Sequence, residues 1–381
     1  MEVSLTTSIA LATIVFFLYK LLTRPTSSKN RLPEPWRLPI IGHMHHLIGT
    51  MPHRGVMDLA RKYGSLMHLQ LGEVSAIVVS SPKWAKEILT TYDIPFANRE
   101  TGGFDVADIF PSKKFLHHLS GKRGRLTSIH NKLDSLINNL VAEHTVSKSS
   151  KVNETLLDVL LRLKNSEEFP LTADNVKAII LDMFGAGTDT SSATVEWAIS
   201  ELIRCPRAME KVQAELRQAL NGKERIKEEE IQDLPYLNLV IRETLRLHPP
   251  LPLVMPRECR QAMNLAGYDV ANKTKLIVNV FAINRDPEYW KDAESFNPER
   301  FENSNTTIMG ADYEYLPFGA GRRMCPGSAL GLANVQLPLA NILYYFKWKL
   351  PNGASHDQLD MTESFGATVQ RKTELMLVPS F

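Results

Sequence analysis

Phe318-Gly319-Ala320-Gly321-Arg322-Arg323-Met324-Cys325-Pro326-Gly327 is the stretch on which the reading of this chain turns. One cysteine stands between glycines, just ahead of an apolar run, Gly327–Phe346, that reads as a helix with a kink at Pro338. A thiolate there gains from free backbone N–H groups and from the positive end of the helix dipole. Gly321 and Gly327 permit tight turns and close backbone approach. Arg323 places a cation two residues from the sulfur, ready for a nearby anion. A lone cysteine in a loop is more often a buried structural residue, so the loop is weighed against the rest of the chain.

The 381 residues are 44% hydrophobic, which excludes a disordered chain. Lys plus Arg number 44 against 42 Asp plus Glu, a net charge of +2, too balanced to advertise nucleic acid as a partner. The three cysteines, Cys205, Cys259 and Cys325, lie far apart, which argues against a disulfide framework or a zinc cluster. His43, His45, His46 and the pair His117-His118 lack further ligands nearby and read as solvated histidines.

Upstream of the cysteine, periodicity predicts helices over Pro52–Tyr63, Pro82–Tyr92, most of Ser112–His144 with a polar break at Gly121–Gly124, Glu154–Lys164, Pro206–Leu220 and Leu234–His248. The longest run starts after Thr172, a plausible N-cap, and continues to Arg204, where Cys205-Pro206 stops it. A helix of that length is expected to cross the whole body and to be buried for much of its course. Leu66–Leu71 and Ala76–Val79 read as a hairpin, and Leu253–Ala282 carries further strand alternation. The fold class is mainly α with a small β-sheet region.

Two more constellations stand out. Glu243 and Arg246 share one face of an apolar helix ahead of His248-Pro249-Pro250; such pairs usually lie on the surface. In the long helix, Gly185 and Gly187 each cost ~1 kcal/mol relative to Ala. That suggests a local distortion that opens a pocket beside Asp189 and Thr190, although a close helix crossing would also account for the small residues.

At the N-terminus, Val3–Tyr19 carries no charge, and Lys20, Arg24, Lys29 and Arg31 follow. Seventeen residues at ~1.5 Å each, extended by Leu21 and Leu22, suffice for a membrane span. Basic flanking on the C-terminal side predicts a cytosolic body, and no signal-type n-region or cleavage site supports a removed leader. Leu32–Pro39 reads as a rigid Pro-rich spacer. The organisation is therefore an anchor over 1–22, a basic and Pro-rich linker over 23–39, and one domain over 40–381.

The cysteine stretch is similar to the haem-binding loop F-x-x-G-x-R-x-C-x-G of the cytochrome P-450 family. Phe318, Gly321, Arg323, Cys325 and Gly327 match all five specified positions. The resemblance implies that Cys325 is the axial thiolate on the iron of haem b, that Phe318 shields the sulfur, and that Arg323 holds a propionate. Arg257, after Leu253-Val254-Met255-Pro256, resembles a second propionate contact. Glu243-Thr244-Leu245-Arg246 resembles the family's E-x-x-R helix, and Pro298-Glu299-Arg300-Phe301 its P-E-R-F segment. These imply a structural network of Glu243, Arg246 and Arg300. Ala186-Gly187-Thr188-Asp189-Thr190-Ser191 resembles the oxygen-pocket motif, which implies that Thr190 and Asp189 serve oxygen activation and proton delivery.

Segments such as His68–Ser75, Gly103–Pro111 and Tyr315–Gly319 look like the plant microsomal branch that hydroxylates sesquiterpenes and monoterpenes. The family implies a monooxygenase that inserts one oxygen atom from O₂ into a small apolar substrate. Electrons would come from NADPH through a flavoprotein reductase, with the body held at the endoplasmic reticulum membrane.

The chain departs from this pattern between Arg99 and Gly103. There Glu100-Thr101-Gly102 joins segments that in the family flank a block of very roughly one hundred residues, close to a small domain's worth. No W-x-x-x-R haem clamp follows Arg99. The expectation is an incomplete fold, and the rival to an active enzyme is an internally deleted, inactive haem-binding relic or splice form.

Overall fold

The structure, a computed structural model, describes residues 13–14, 31–99, 106–113, 122–146, 154–164, 166–168, 170–304 and 306–380. In chain order the longer elements are α1 (Pro52–Tyr63), β1 (Leu66–Leu71), β2 (Val74–Val79), α2 (Pro82–Thr90), β3 (Asn98–Arg99), α3 (Lys122–Val146) and α4 (Leu156–Lys164). There follow α5 (Ala173–Arg204), α6 (Pro206–Leu220), α7 (Pro235–Leu247), β4 (Arg257–Glu258), β5 (Met263–Leu265), β6 (Tyr268–Val270) and β7 (Lys275–Val278). The last are α8 (Ser328–Tyr345), β8 (Lys347–Lys349), β9 (Glu363–Phe365), β10 (Val369–Arg371) and β11 (Val378–Ser380). This is a helical body with small sheets.

Local chemistry sets most boundaries. Thr172 Oγ1 accepts from the Asn175 N–H at 3.1 Å and Asn175 Oδ1 accepts from the Thr172 N–H at 3.0 Å, a reciprocal cap for α5. Prolines at the first helical position open α1, α2, α6 and α7, where the missing N–H has no partner to lose. In the hairpin, Leu66 faces Val79 and Leu71 faces Val74, and Gly72 turns the chain at φ 60°. The main sheet has the order β1-β2-β7-β4-β3, with β2 and β7 parallel.

Two large apolar cores stand out among the described residues. One gathers the C-terminal half of α5 with α6, α7 and α8. The other packs the sheet against α2 and includes Leu316 and Ala320 of the cysteine loop. Burial along α5 is uneven. From Ala193 to Ile203 most residues are buried, whereas Phe184 is 74% exposed and Leu181 lies open beside it. On α3, Leu126, Ile129, Leu136 and Leu140 also face outward.

Three expectations need correction. Burial of the long helix holds only for its C-terminal half. The distortion expected at Gly185 and Gly187 is absent, and α5 is continuously helical across both glycines. Packing of its C-terminal half fixes the helix axis, so the local cost of two glycines is absorbed without a break. His43 is not solvated but fully buried: its Nδ1 accepts from the Gln70 N–H at 2.6 Å and its Nε2 donates to Pro35 O at 2.8 Å.

Among the described residues, no helix is long and apolar enough to cross a membrane. Apart from Thr13 and Ile14, the Val3–Tyr19 run lies outside the described residues, as do His117, His118 and the junction Glu100-Thr101-Gly102.

Candidate functional site

The cysteine loop is a tight, hydrogen-bonded turn between the sheet core and α8. The Gly319 N–H donates to Leu316 O at 3.1 Å, and Gly319 and Gly321 have φ of 69° and 68°. These left-handed conformations favour glycine. Gly321–Arg323 forms a 3₁₀ turn, the Met324 N–H donates to Gly321 O at 3.0 Å, and the Cys325 N–H closes the loop on Phe318 O at 3.0 Å. Cys325 is a free, half-buried thiol. Gly327 caps α8, whose first turn begins three residues past the sulfur. A methyl group added at Gly331 would meet Phe318 at 3.6 Å, which places the phenyl ring against α8. A methyl group added at Gly327 would lie 4.0 Å from Met183 Sδ, so α5 passes directly over the start of α8.

The two arginines differ sharply. Arg323 is exposed, and its Nε donates to Ala97 O at 2.7 Å. Arg257 is buried, with Nη1 donating to Asp93 Oδ1 at 2.7 Å and Nη2 to Ala320 O at 2.6 Å. Burial pushes the Arg257 pKa down, and the Asp93 carboxylate opposes that shift. Nothing local in the sequence marks Asp93, because its partners lie more than one hundred and sixty residues away.

Asp189 and Thr190 diverge, as consecutive helical residues must at ~100° per residue. The Thr190 hydroxyl donates to Ala186 O at 2.7 Å within α5. The Asp189 carboxylate accepts from Thr368 Oγ1 at 2.6 Å and from Gln370 Nε2 at 2.8 Å. It is thereby tied to β10 and the residue before it. Thr368 and Gln370 are partners that sequence reasoning missed, since no spacing rule links them to α5.

Glu243, Arg246 and Arg300 come together in the core. Arg246 Nε and Nη2 reach the two Glu243 carboxylate oxygens at 2.8 and 2.9 Å, and Arg300 Nε reaches Oε1 at 2.9 Å. The Asn297 N–H donates to the same oxygen at 2.9 Å. Arg246 further donates to the carbonyls of Asn284, Ala293 and Ser295 at 2.8, 2.7 and 3.2 Å. Both Glu243 and Arg246 are fully buried, so the network ties α7 to the loops over 284–297 without solvent. A second buried network holds β9: Glu363 accepts from Arg54 Nε and Nη2 at 2.8 and 2.9 Å and pairs with His53 Nε2 at 3.1 Å. Burial raises the Glu363 pKa, but His53 and Arg54 outweigh it and bring the carboxyl down to about 2.

The donor set of the loop suits a haem iron: one free thiol, glycine turns that bring backbone close, and an exposed guanidinium beside it. Among the described residues no cluster of His, Cys, Asp and Glu offers an alternative metal site.

Comparison with known proteins agrees with this chemistry. The cytochrome P450 family model matches residues 32–126 and 102–377. Germacrene A hydroxylase of Helianthus annuus is 78% identical over 488 aligned positions that cover all of both chains. The germacrene A hydroxylase of Lactuca sativa is 70% identical over the same span, again covering both chains in full. Amorpha-4,11-diene 12-monooxygenase of Artemisia annua is 65% identical, covering 100% of this chain and 99% of that one. A zebra fish cytochrome P450 solved with progesterone has the same fold at a TM-score of 0.71 and 24% identity, covering 87% of this chain and 100% of that one. The chain belongs to the cytochrome P450 family of monooxygenases.

Proposed function

We propose that this chain is of the sesquiterpene-hydroxylating type, acting on a germacrene A-like hydrocarbon, and that the form seen here is internally deleted and turns over little. The observation that carries the first part is the Cys325 loop, in a chain 78% identical to a germacrene A hydroxylase. When bound, haem supplies the activation of O₂ and the insertion of one oxygen atom. Cys325 would hold its iron, Arg323 would hold a propionate, and Thr190 and Asp189 would serve proton delivery. Electrons would come from NADPH through a flavoprotein reductase. The Val3–Tyr19 run would anchor the body to the cytosolic face of the endoplasmic reticulum.

The second part rests on three observations. The relatives align over 488 positions, about a hundred more than this chain can fill. The family match is broken into two segments, the second of which begins at residue 102. Among the described residues, the N-terminal half of α5 leaves Phe184 largely exposed and Leu181 partly so. A chain short of those positions and of one propionate clamp is expected to hold haem weakly.

The test compares this chain with a version carrying the Helianthus annuus block between Arg99 and Gly103. The restored form should show the red-shifted Soret band of a reduced thiolate–iron–CO complex and should oxidise germacrene A with NADPH and reductase. The present chain should do neither. Cys325→Ser in the restored form should abolish the band. Robust product from the present chain overturns the deletion reading, and an intact spectrum without germacrene A oxidation overturns the substrate.

A further inference from the structure

We propose that Asp93 is the positioning residue of the Cys325 loop. Its carboxylate is buried and reaches the loop by two routes. Oδ2 accepts directly from the Arg322 N–H at 2.9 Å, with Arg322 Nε 3.8 Å away. Oδ1 accepts from Arg257 Nη1 at 2.7 Å, and the same guanidinium donates through Nη2 to Ala320 O at 2.6 Å. The residues caught, Ala320 and Arg322, flank Gly321. A Cβ at Gly321 would stand 2.7 Å from Asp93 Oδ1 and 2.9 Å from Leu89 O. Glycine is therefore required there for close approach as well as for its φ of 68°.

The arrangement is a closed ring through Asp93, Arg257, Ala320, Gly321 and Arg322. The Met324 N–H donates to Gly321 O within the ring, and the Cys325 N–H donates to Phe318 O, two residues before Ala320, so the ring holds the stretch of backbone that lies between the two ends of the Cys325 hydrogen bond. The ring is made of protein atoms alone, so it can hold the loop without drawing on a ligand atom. Arg257, the residue expected to face a propionate, is already engaged by a carboxylate of its own. Removing the Asp93 carboxylate leaves a buried guanidinium without its counter-charge and the Arg322 N–H without an acceptor. Asp93 touches no reacting atom; it acts on the sulfur only through the loop. The geometry stands whether or not Cys325 binds iron, and only its consequence for catalysis rests on the function proposed above.

The test reads the three thiols of the detergent-solubilised chain without haem, by iodoacetamide labelling and mass spectrometry. Asp93→Ala should raise the labelling rate of Cys325 about tenfold, with Cys205 and Cys259 within about twofold of their parent rates. Asp93→Asn, which keeps acceptor capacity without the charge, should raise it less. In the block-restored holoprotein, Asp93→Ala should shift the reduced CO band away from its thiolate position. An unchanged Cys325 rate overturns the proposal. Equal acceleration of all three thiols also overturns it, because it would mean that Asp93 only supports the fold. If Asp93→Ala fails to fold, the ratio of Cys325 to Cys205 labelling in Asp93→Asn decides, and a parental ratio overturns the proposal.

Discussion

Replacing Glu243 by alanine should be among the most damaging single changes outside the cysteine loop. The carboxylate receives four hydrogen bonds: two from Arg246, one from Arg300 and one from the Asn297 N–H. Its loss leaves Arg246 fully buried with a positive charge and no counter-ion, although three backbone carbonyls still accept from it. Breaking a buried pair in this way costs roughly 3–5 kcal/mol. Against a domain stability of ~5–15 kcal/mol, that is a fifth or more of the total. The double variant Glu243→Ala/Arg246→Ala should not recover the loss, because the carbonyls of Asn284 and Ala293 then lose their donor. The assay is equilibrium urea unfolding followed by tryptophan fluorescence. Trp290 is a local reporter, since the Arg246 guanidinium lies 5.3 Å from its ring. A Glu243→Ala stability within about 1 kcal/mol of the parent would refute the account, because a loss that small fits an exposed pair rather than a buried one.

Other outcomes follow from the same structure. Gly321→Ala should destabilise by at least about 2 kcal/mol more than Gly353→Ala: both glycines have φ near 69°, but only Gly321 has atoms waiting at the Cβ position. Urea midpoints of the two variants measure the difference. The Glu363 carboxyl, held at about 2 when folded, has its folded pKa below its unfolded one. Its contribution is therefore present above about pH 4.5 and is lost as pH falls toward 2, so Glu363→Gln should flatten the acid limb of a stability–pH curve. Phe184→Ser should change the stability of the present chain by no more than ~0.5 kcal/mol, since the ring is exposed, yet should be costly in the block-restored form, which urea titration of both versions would show. In the restored form, Thr190→Ala should consume NADPH while releasing hydrogen peroxide in place of product, and unchanged coupling would remove Thr190 from proton delivery.

The ends of α5 are legible in the sequence because their causes are local: Thr172 and Asn175 cap each other, and Pro206 forces the next helix to begin anew. The cysteine loop is legible for the same reason, since ten consecutive residues carry its turns. Glu243 and Arg246 are three residues apart on one helix, so their pairing can be read, whereas the three carbonyls that complete the site cannot. Asp93 and the Thr368–Gln370 pair escape sequence reasoning altogether: each meets its partner across a long stretch of chain, and an aspartate in a turn is an ordinary sight. The same limit explains His43. Burial of a histidine depends on which backbone groups the fold brings to its two nitrogens, and no spacing rule supplies that. The glycines in α5 mislead in the opposite direction, because propensity proposes a break that tertiary packing overrides.

The lopsided burial of α5 gives one helix two different lifetimes. Its residues from Ala193 onward are locked among α6, α7 and α8, and their amides can exchange with solvent only when that whole core opens. Its N-terminal half, with Gly185, Gly187 and the exposed Phe184, is tied to its neighbours at single points, among them Lys177 Nζ on Asp134 of α3 and Asp189 on Thr368 and Gln370. Amide protons there should exchange through small local openings, many times faster than those a few turns further on. A protease at low concentration should nick the chain near Phe184 while leaving the core intact. The stretch of α5 that carries Ala186–Ser191 is then the first part of the helix to come apart.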